Sequence, residues 1–152
     1  MLLNDLFTAS NVVYMKKKLD ARINASGLSS YNSFGMIATE AGWRTGEDWL
    51  NALLPYLAAN RDYLDKRIAA AVPGARSMRL PSTYLAWIDF SRTGLTPQDV
   101  ADRIAKRARL FVSPGAQFGP GGDSWVRINF ATPRKTLAEA LDRIDDAFRD
   151  VR

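Results

Sequence analysis

Apolar residues recur at helical spacing through the first half of the chain and in short alternating runs through the second. Met15, Leu19 and Ile23 fall four apart, which predicts a helix over 12–25 with Lys16, Lys17, Lys18 and Asp20 projecting elsewhere. A polar break over 26–33 follows. In it Gly27 is a candidate left-handed helix end, and Asn32 or Ser33 a candidate N-cap. From Phe34 to about Ala71 the helical pattern resumes. Gly42 and Gly46 weaken its middle, and Thr45-Gly46-Glu47-Asp48 reads as a restart with acids favoured at the new N-terminus. Trp49, Leu53, Leu57, Leu64 and Ile68 mark the buried stripe, and Pro55 lacks the amide that an interior turn needs, so a kink is expected there.

Pro73-Gly74 punctuates the chain, and beyond it the elements shorten. This is the expected boundary between a helical segment, 1–72, and an α+β domain, 73–152. Thr83 to Phe90 reads as a strand rich in aromatic and β-branched residues. Thr96-Pro97-Gln98-Asp99 carries a cap, a proline at the first helical position and an acid three residues on, and Val100, Ile104 and Ala108 then face inward. Leu110 to Ser113 is a short strand. Thr132-Pro133 repeats the cap-then-proline start before Leu137, Leu141, Ile144, Phe148 and Val151, which all fall on one helical face. The fold class expected is α+β, a long helix followed by a small sheet with helices packed on one face.

The stretch Gly115 to Ala131, GAQFGPGGDSWVRINFA, joins a glycine-rich loop to a strand. Alternation puts Trp125, Arg127 and Asn129 on one side and Val126, Ile128 and Phe130 on the other. Glycines allow close approach of another molecule, and an arginine offers a planar fork of donors matched to a carboxylate. Loop and arginine together form a candidate seat for a small anion. A plain turn beside a solvated arginine is the competing reading. Trp87, Trp125, Tyr84 and Phe118 are candidate lining residues, Phe118 foremost because it stands in the loop.

Composition narrows the chemistry. The 152 residues contain no cysteine and no histidine, which excludes disulfides, thiol nucleophiles and histidine-based triads, and makes a zinc site improbable. The net charge is +5, but Lys16 to Lys18 form the single basic run, so nucleic acid is not an expected partner. No stretch approaches the roughly 18 to 20 apolar residues of a membrane span, and the N-terminus is too polar for a signal segment, so a membrane is not expected either. The cytoplasm is the expected compartment.

The run from Ser113 to Pro133 resembles the C-terminal signature of fold-type I pyridoxal-phosphate enzymes of the aminotransferase superfamily. Within them it is closest to the cystathionine β-lyase-like C–S lyase branch. That pattern is G-x-x-F-G-x-G-G-x-x-x-x-R-x-N-x-A, which Gly115, Phe118, Gly119, Gly121, Gly122, Arg127, Asn129 and Ala131 match. Phe34 to Leu53 also resembles the family's segment leading into its long interdomain helix, and Pro81 to Phe90 the first strand of its small domain. The likeness runs from about residue 12 to the end.

The resemblance implies that Arg127 holds the α-carboxylate of an amino-acid substrate, with Phe118 and Gly119 shaping the mouth around it. It carries Tyr31 and Asn32 over more weakly, as residues approaching a neighbouring subunit's site, beside their plain reading as capping and packing residues. It also implies pyridoxal 5′-phosphate as the cofactor of the full-length family and a homo-oligomer. In that family the imine-forming lysine, the acid facing the pyridine nitrogen and the phosphate cup precede everything matched here. Lys16 to Lys18 lie past the lysine position, and Lys66, Lys106 and Lys135 fall on expected helix surfaces. The expectation is therefore a C-terminal portion, carrying the carboxylate-binding arginine without the catalytic lysine, inactive alone and holding no cofactor or metal. The alternative is a stand-alone interaction or dimerisation module built from the same domain.

Overall fold

A computed structural model describes residues 9–26 and 32–151. The chain divides into two units, Met1–Trp49 and Leu50–Arg152. In the first, helix α1 spans Ala9–Ala25 and helix α2 spans Ser33–Thr45. Asn32 caps α2: its side-chain oxygen accepts from the amides of Phe34, at 2.9 Å, and Gly35, at 3.4 Å. Gly27 and Tyr31 lie outside the described residues. Lys16 to Lys18 are exposed, Lys16 paired with Asp20 at 2.6 Å.

Helix α2 ends at Gly46, where a Cβ would sit 2.5 Å from the Gly42 carbonyl oxygen, and α3 starts at Glu47 and runs to Ala71 with Pro55 inside it. Of the expected stripe, Leu64 and Ile68 are buried and Leu57 packs against the core, whereas Trp49 is 67% exposed. The helical period holds along α3, and its buried residues, Asn60, Leu64, Ile68 and Ala71, all lie in its later turns. Gly74 then turns the chain at φ 86°, so close to Arg92 that a Cβ would meet its carbonyl oxygen at 2.3 Å.

The sheet has four strands, β1 (Arg76–Ser77), β2 (Leu85–Asp89), β3 (Ser113–Pro114) and β4 (Trp125–Asn129). All pairings are antiparallel, in the order β1-β2-β4-β3. One strand is unanticipated and one expectation is corrected. Strand β1, two residues long, was too short to leave a pattern, and the expected strand over 110–113 pairs only at Ser113 and Pro114. Upstream of it Arg109 takes a left-handed conformation (φ 53°) and Leu110 donates to the Ile104 carbonyl at 3.0 Å, which uses residues 109–110 to end a helix.

That helix, α4 (Pro97–Asp102), opens with the anticipated reciprocal cap between Thr96 and Asp99 and ends in a wider turn over Arg103–Arg107. Helix α5 spans Arg134–Ala147. Its start differs from expectation: Pro133 occupies the cap position and no side chain of the preceding turn caps it. Ala86, Ile88, Val126 and Phe130 form one core with Val100 and Ile104 of α4, Leu137, Leu141 and Ile144 of α5, and Leu64 and Ile68 of α3. Each large side chain fully buried there contributes about 1.5–3 kcal/mol. The helices thus cover one sheet face, and Arg127 stands on the other.

Candidate functional site

Strand alternation and register build the site. Arg127 pairs with Trp87 of β2 on one side and Ser113 of β3 on the other, so the three side chains form one row across the open face. The alternate residues, Val126 and Ile128, turn to the core. The Ser113 hydroxyl accepts from an Arg127 guanidinium nitrogen at 3.3 Å.

Between β3 and β4 the loop folds back over this face. It opens with a tight turn, Gly115–Phe118, and continues through Gly119 (φ 123°) and Gly121 (φ 87°), conformations that favour glycine. Gly115 and Gly122 meet backbone to backbone. A Cβ on Gly115 would lie 2.3 Å from the Gly122 oxygen, and one on Gly122 would lie 2.2 Å from the Gly115 oxygen. This closure brings the Phe118 ring edge-on to Trp87, with centroids 5.0 Å apart, and under the Arg127 guanidinium, 4.4 Å from the ring centre. Trp87 in turn meets Trp125 edge-on at 6.5 Å.

Beside these rings is a cleft of about 300 Å³, lined by Met78, Trp87, Phe118, Trp125, Pro120 and the loop glycines. Its walls are apolar. Asp89, the one buried carboxylate among the described residues, is already engaged: it accepts from the Ser91 amide at 2.8 Å and from Arg76 at 3.2 Å. Burial pushes its pKa up, and these donors outweigh that and hold it below the ordinary carboxylate range.

Among the described residues, Arg127 shares with Arg134, which lies over the Tyr63 ring and donates to Asn60, the lack of an acid partner that other half-buried arginines have. Arg67 pairs with Asp142 at 2.6 Å and Arg103 with Asp150 at 2.5 Å, whereas no acid among the described residues pairs with Arg127. Its guanidinium is held by a ring and a neutral hydroxyl, leaving donors for an anion.

Arg127 and Phe118 are thus in contact, and Phe118 and Gly119 line the cleft with Trp87 and Trp125, Arg127 standing behind the Phe118 ring rather than in the lining. Asn32 lies in the first unit, its side-chain oxygen used as a helix cap, and Tyr31 is outside the described residues. Met78 and Ser113 were not anticipated. Ser113 owes its place to the register of β3 on β4, and Met78 follows the unrecognised strand β1.

No family model matches the chain. The cystathionine β-lyase PatB of Bacillus subtilis is 31% identical over 132 residues, which are 87% of this chain and 34% of that protein. A pyridoxal-phosphate-bound protein of Clostridium difficile, crystallised and assigned as an aminotransferase, superposes with a TM-score of 0.79 at 36% identity, covering 87% of this chain and 34% of its own. This chain belongs to the fold-type I pyridoxal-phosphate aminotransferase superfamily. It matches the C-terminal part of those proteins and spans about a third of the length of the curated relatives. The C–S lyase branch of the superfamily is represented too: the pyridoxal-phosphate-bound C–S lyase of Staphylococcus hominis superposes with a TM-score of 0.72 at 29% identity, covering 82% of this chain and 33% of its own.

The superfamily's cofactor asks for an amine to form an imine, an acid for the ring nitrogen and donors for a phosphate. The cleft residues do not fit it. None of those lining the cleft is a lysine, Asp89 is committed to Arg76 and Ser91, and Lys66, Lys106 and Lys135 are exposed on helices.

Proposed function

We propose that this chain contributes the substrate-carboxylate clamp of a pyridoxal-phosphate-dependent aminotransferase or C–S lyase that acts on an amino acid. Arg127 is the clamp, and Phe118 and the loop from Gly115 to Gly122 form the mouth. On this reading the imine-forming lysine and the phosphate cup belong to the superfamily's large domain, outside these residues, and the chain by itself is inactive.

The observation that carries the reading is the half-buried Arg127, stacked on Phe118 and paired with no acid among the described residues. A charge-assisted contact of this kind contributes about 1.5–3 kcal/mol, so the chain alone binds a free amino acid at millimolar affinity or weaker.

Titration of the ¹⁵N-labelled chain with L-alanine tests it. The indole N–H signals of Trp87 and Trp125 and the Nε–H signal of Arg127 are expected to shift, and Arg127→Gln to remove the response. Shifts that persist unchanged in Arg127→Gln would sink the assignment.

A second reading, self-association, is favoured by the first unit, where Phe34, Ile37 and Trp43 of α2 are 83%, 65% and 87% exposed. Sedimentation velocity separates the two: a single dimeric species dispersed by Trp43→Glu supports it, and a monomer removes it.

A further inference from the structure

One stripe of helix α3 does something other than pack. Tyr56, Asn60 and Tyr63, at spacings of four and three, share a helix face. They meet the turn between β4 and α5 three residues beyond Arg127. Asn60 is completely buried, yet its polar groups are satisfied. Its amide nitrogen donates to the carbonyls of Phe130, at 3.0 Å, and Thr132, at 2.9 Å, and its oxygen accepts from Arg134 Nε at 2.8 Å. The Tyr56 hydroxyl accepts from the Arg134 amide at 2.7 Å. That amide belongs to the first turn of α5, which no neighbouring side chain caps, so α3 supplies the missing acceptor. The Arg134 guanidinium lies over the Tyr63 ring, 4.5 Å from its centre.

Apolar packing by Leu57, Leu64 and Ile68 already attaches α3 to the core, but such contact is non-directional and tolerates small slides along the helix. Hydrogen bonds to two particular carbonyls and one guanidinium do not. A buried amide with every partner matched selects one register, because any displacement leaves buried polar groups unpaired.

We infer that Asn60, supported by Tyr56, is a positioning residue for Arg127: it fixes the end of β4 against α3 and so sets where the guanidinium stands over Phe118. As a statement about substrate recognition, the inference rests on the proposed role of Arg127. As a statement about geometry, it stands on the bonds themselves.

The test compares Asn60→Leu and the milder Tyr56→Phe with Leu64→Ala, a core truncation on the same helix that touches none of these bonds. Thermal midpoints and L-alanine titrations are measured on all three. Asn60→Leu is expected to weaken the response at Trp87, Trp125 and Arg127 roughly tenfold, and Tyr56→Phe by less, since a misplaced supporting contact degrades recognition. Leu64→Ala should stay within about twofold of the parent whatever its loss of stability, because it leaves every hydrogen bond from α3 to the β4–α5 turn in place. Equal weakening by Leu64→Ala overturns the inference.

A parent chain that gives no L-alanine response would sink the clamp reading, not this one. The ligand-free signals then decide. Asn60→Leu and Tyr56→Phe should both move the Arg127 Nε–H resonance and weaken its cross-peaks to the Phe118 ring, and Leu64→Ala should move neither. If Arg127 is unchanged in both seam variants, α3 does not position it.

Discussion

The Arg127 guanidinium carbon stands 4.4 Å from the centre of the Phe118 ring. The contact joins the middle of β4 to the tip of the glycine loop, and it is made although Phe118 is 49% exposed. An aromatic face attracts the cation without satisfying its directional donors, so it holds the fork in place while leaving its edge for a carboxylate.

Replacing Phe118 should therefore affect binding more than folding. Phe118→Ala removes a cation–π contact of about 0.5–1 kcal/mol at a largely exposed position and releases the guanidinium. The L-alanine response should weaken severalfold and the urea midpoint should change little. Phe118→Leu, which keeps the bulk without the π face, should behave like the alanine variant. A fully restored response in the leucine variant would show that bulk suffices.

The loop glycines divide into two kinds. Gly115→Ala places a methyl 2.3 Å from the Gly122 oxygen and 2.7 Å from the Trp125 Cβ, an overlap that only backbone movement relieves. It should cost about 1–3 kcal/mol or more in urea unfolding. Gly119→Ala meets nothing within 4 Å, and its cost is confined to the backbone at φ 123° and ψ −177°, a region open essentially to glycine alone, about 1–3 kcal/mol. The first variant should also lose the Phe118 contact and the L-alanine response with it.

Asp89 gives stability an acid limb. Its folded pKa lies below its ordinary value of 3.8, burial being outweighed by the Ser91 amide and Arg76. The stability it contributes is therefore fully present above the ordinary value and is lost as pH falls through the folded one. Asp89→Asn should cost about 1 kcal/mol at pH 7, discounted because Arg76 is half exposed, and the difference from the parent should close on acidification. A gap that stays constant from pH 7 to pH 2 would contradict the assignment.

Asp150 acts in the same direction at the end of α5. The Arg103 guanidinium, bonded to it at 2.5 and 2.9 Å, holds its carboxyl well below the usual range. Arg103 also donates to the Ala147 carbonyl at 2.8 Å, tying down the last turn of the helix. Acidification should lower the amide protection factors at 147–151 in the parent, and Asp150→Asn should show the lowered protection already at neutral pH.

The sequence determined the local elements and the chemistry on offer. Helical spacing located α1, α2, α3 and α5, and the Thr96–Asp99 signature located the start of α4, because caps and apolar periods act within a turn or two of chain. Strict alternation also put Arg127 and Trp125 opposite Val126 before any partner strand was known. The tertiary structure decided whatever depends on pairing between distant segments. Register placed Ser113 and Trp87 on either side of Arg127, loop closure put Phe118 beneath it, and α3 supplied the acceptor for α5 that Thr132 was expected to provide. Trp49 shows the same division from the other side: its place in the helical period was legible, and its exposure was not. A side chain's direction follows from its own backbone, whereas its partners follow from which strands and helices the whole chain brings alongside.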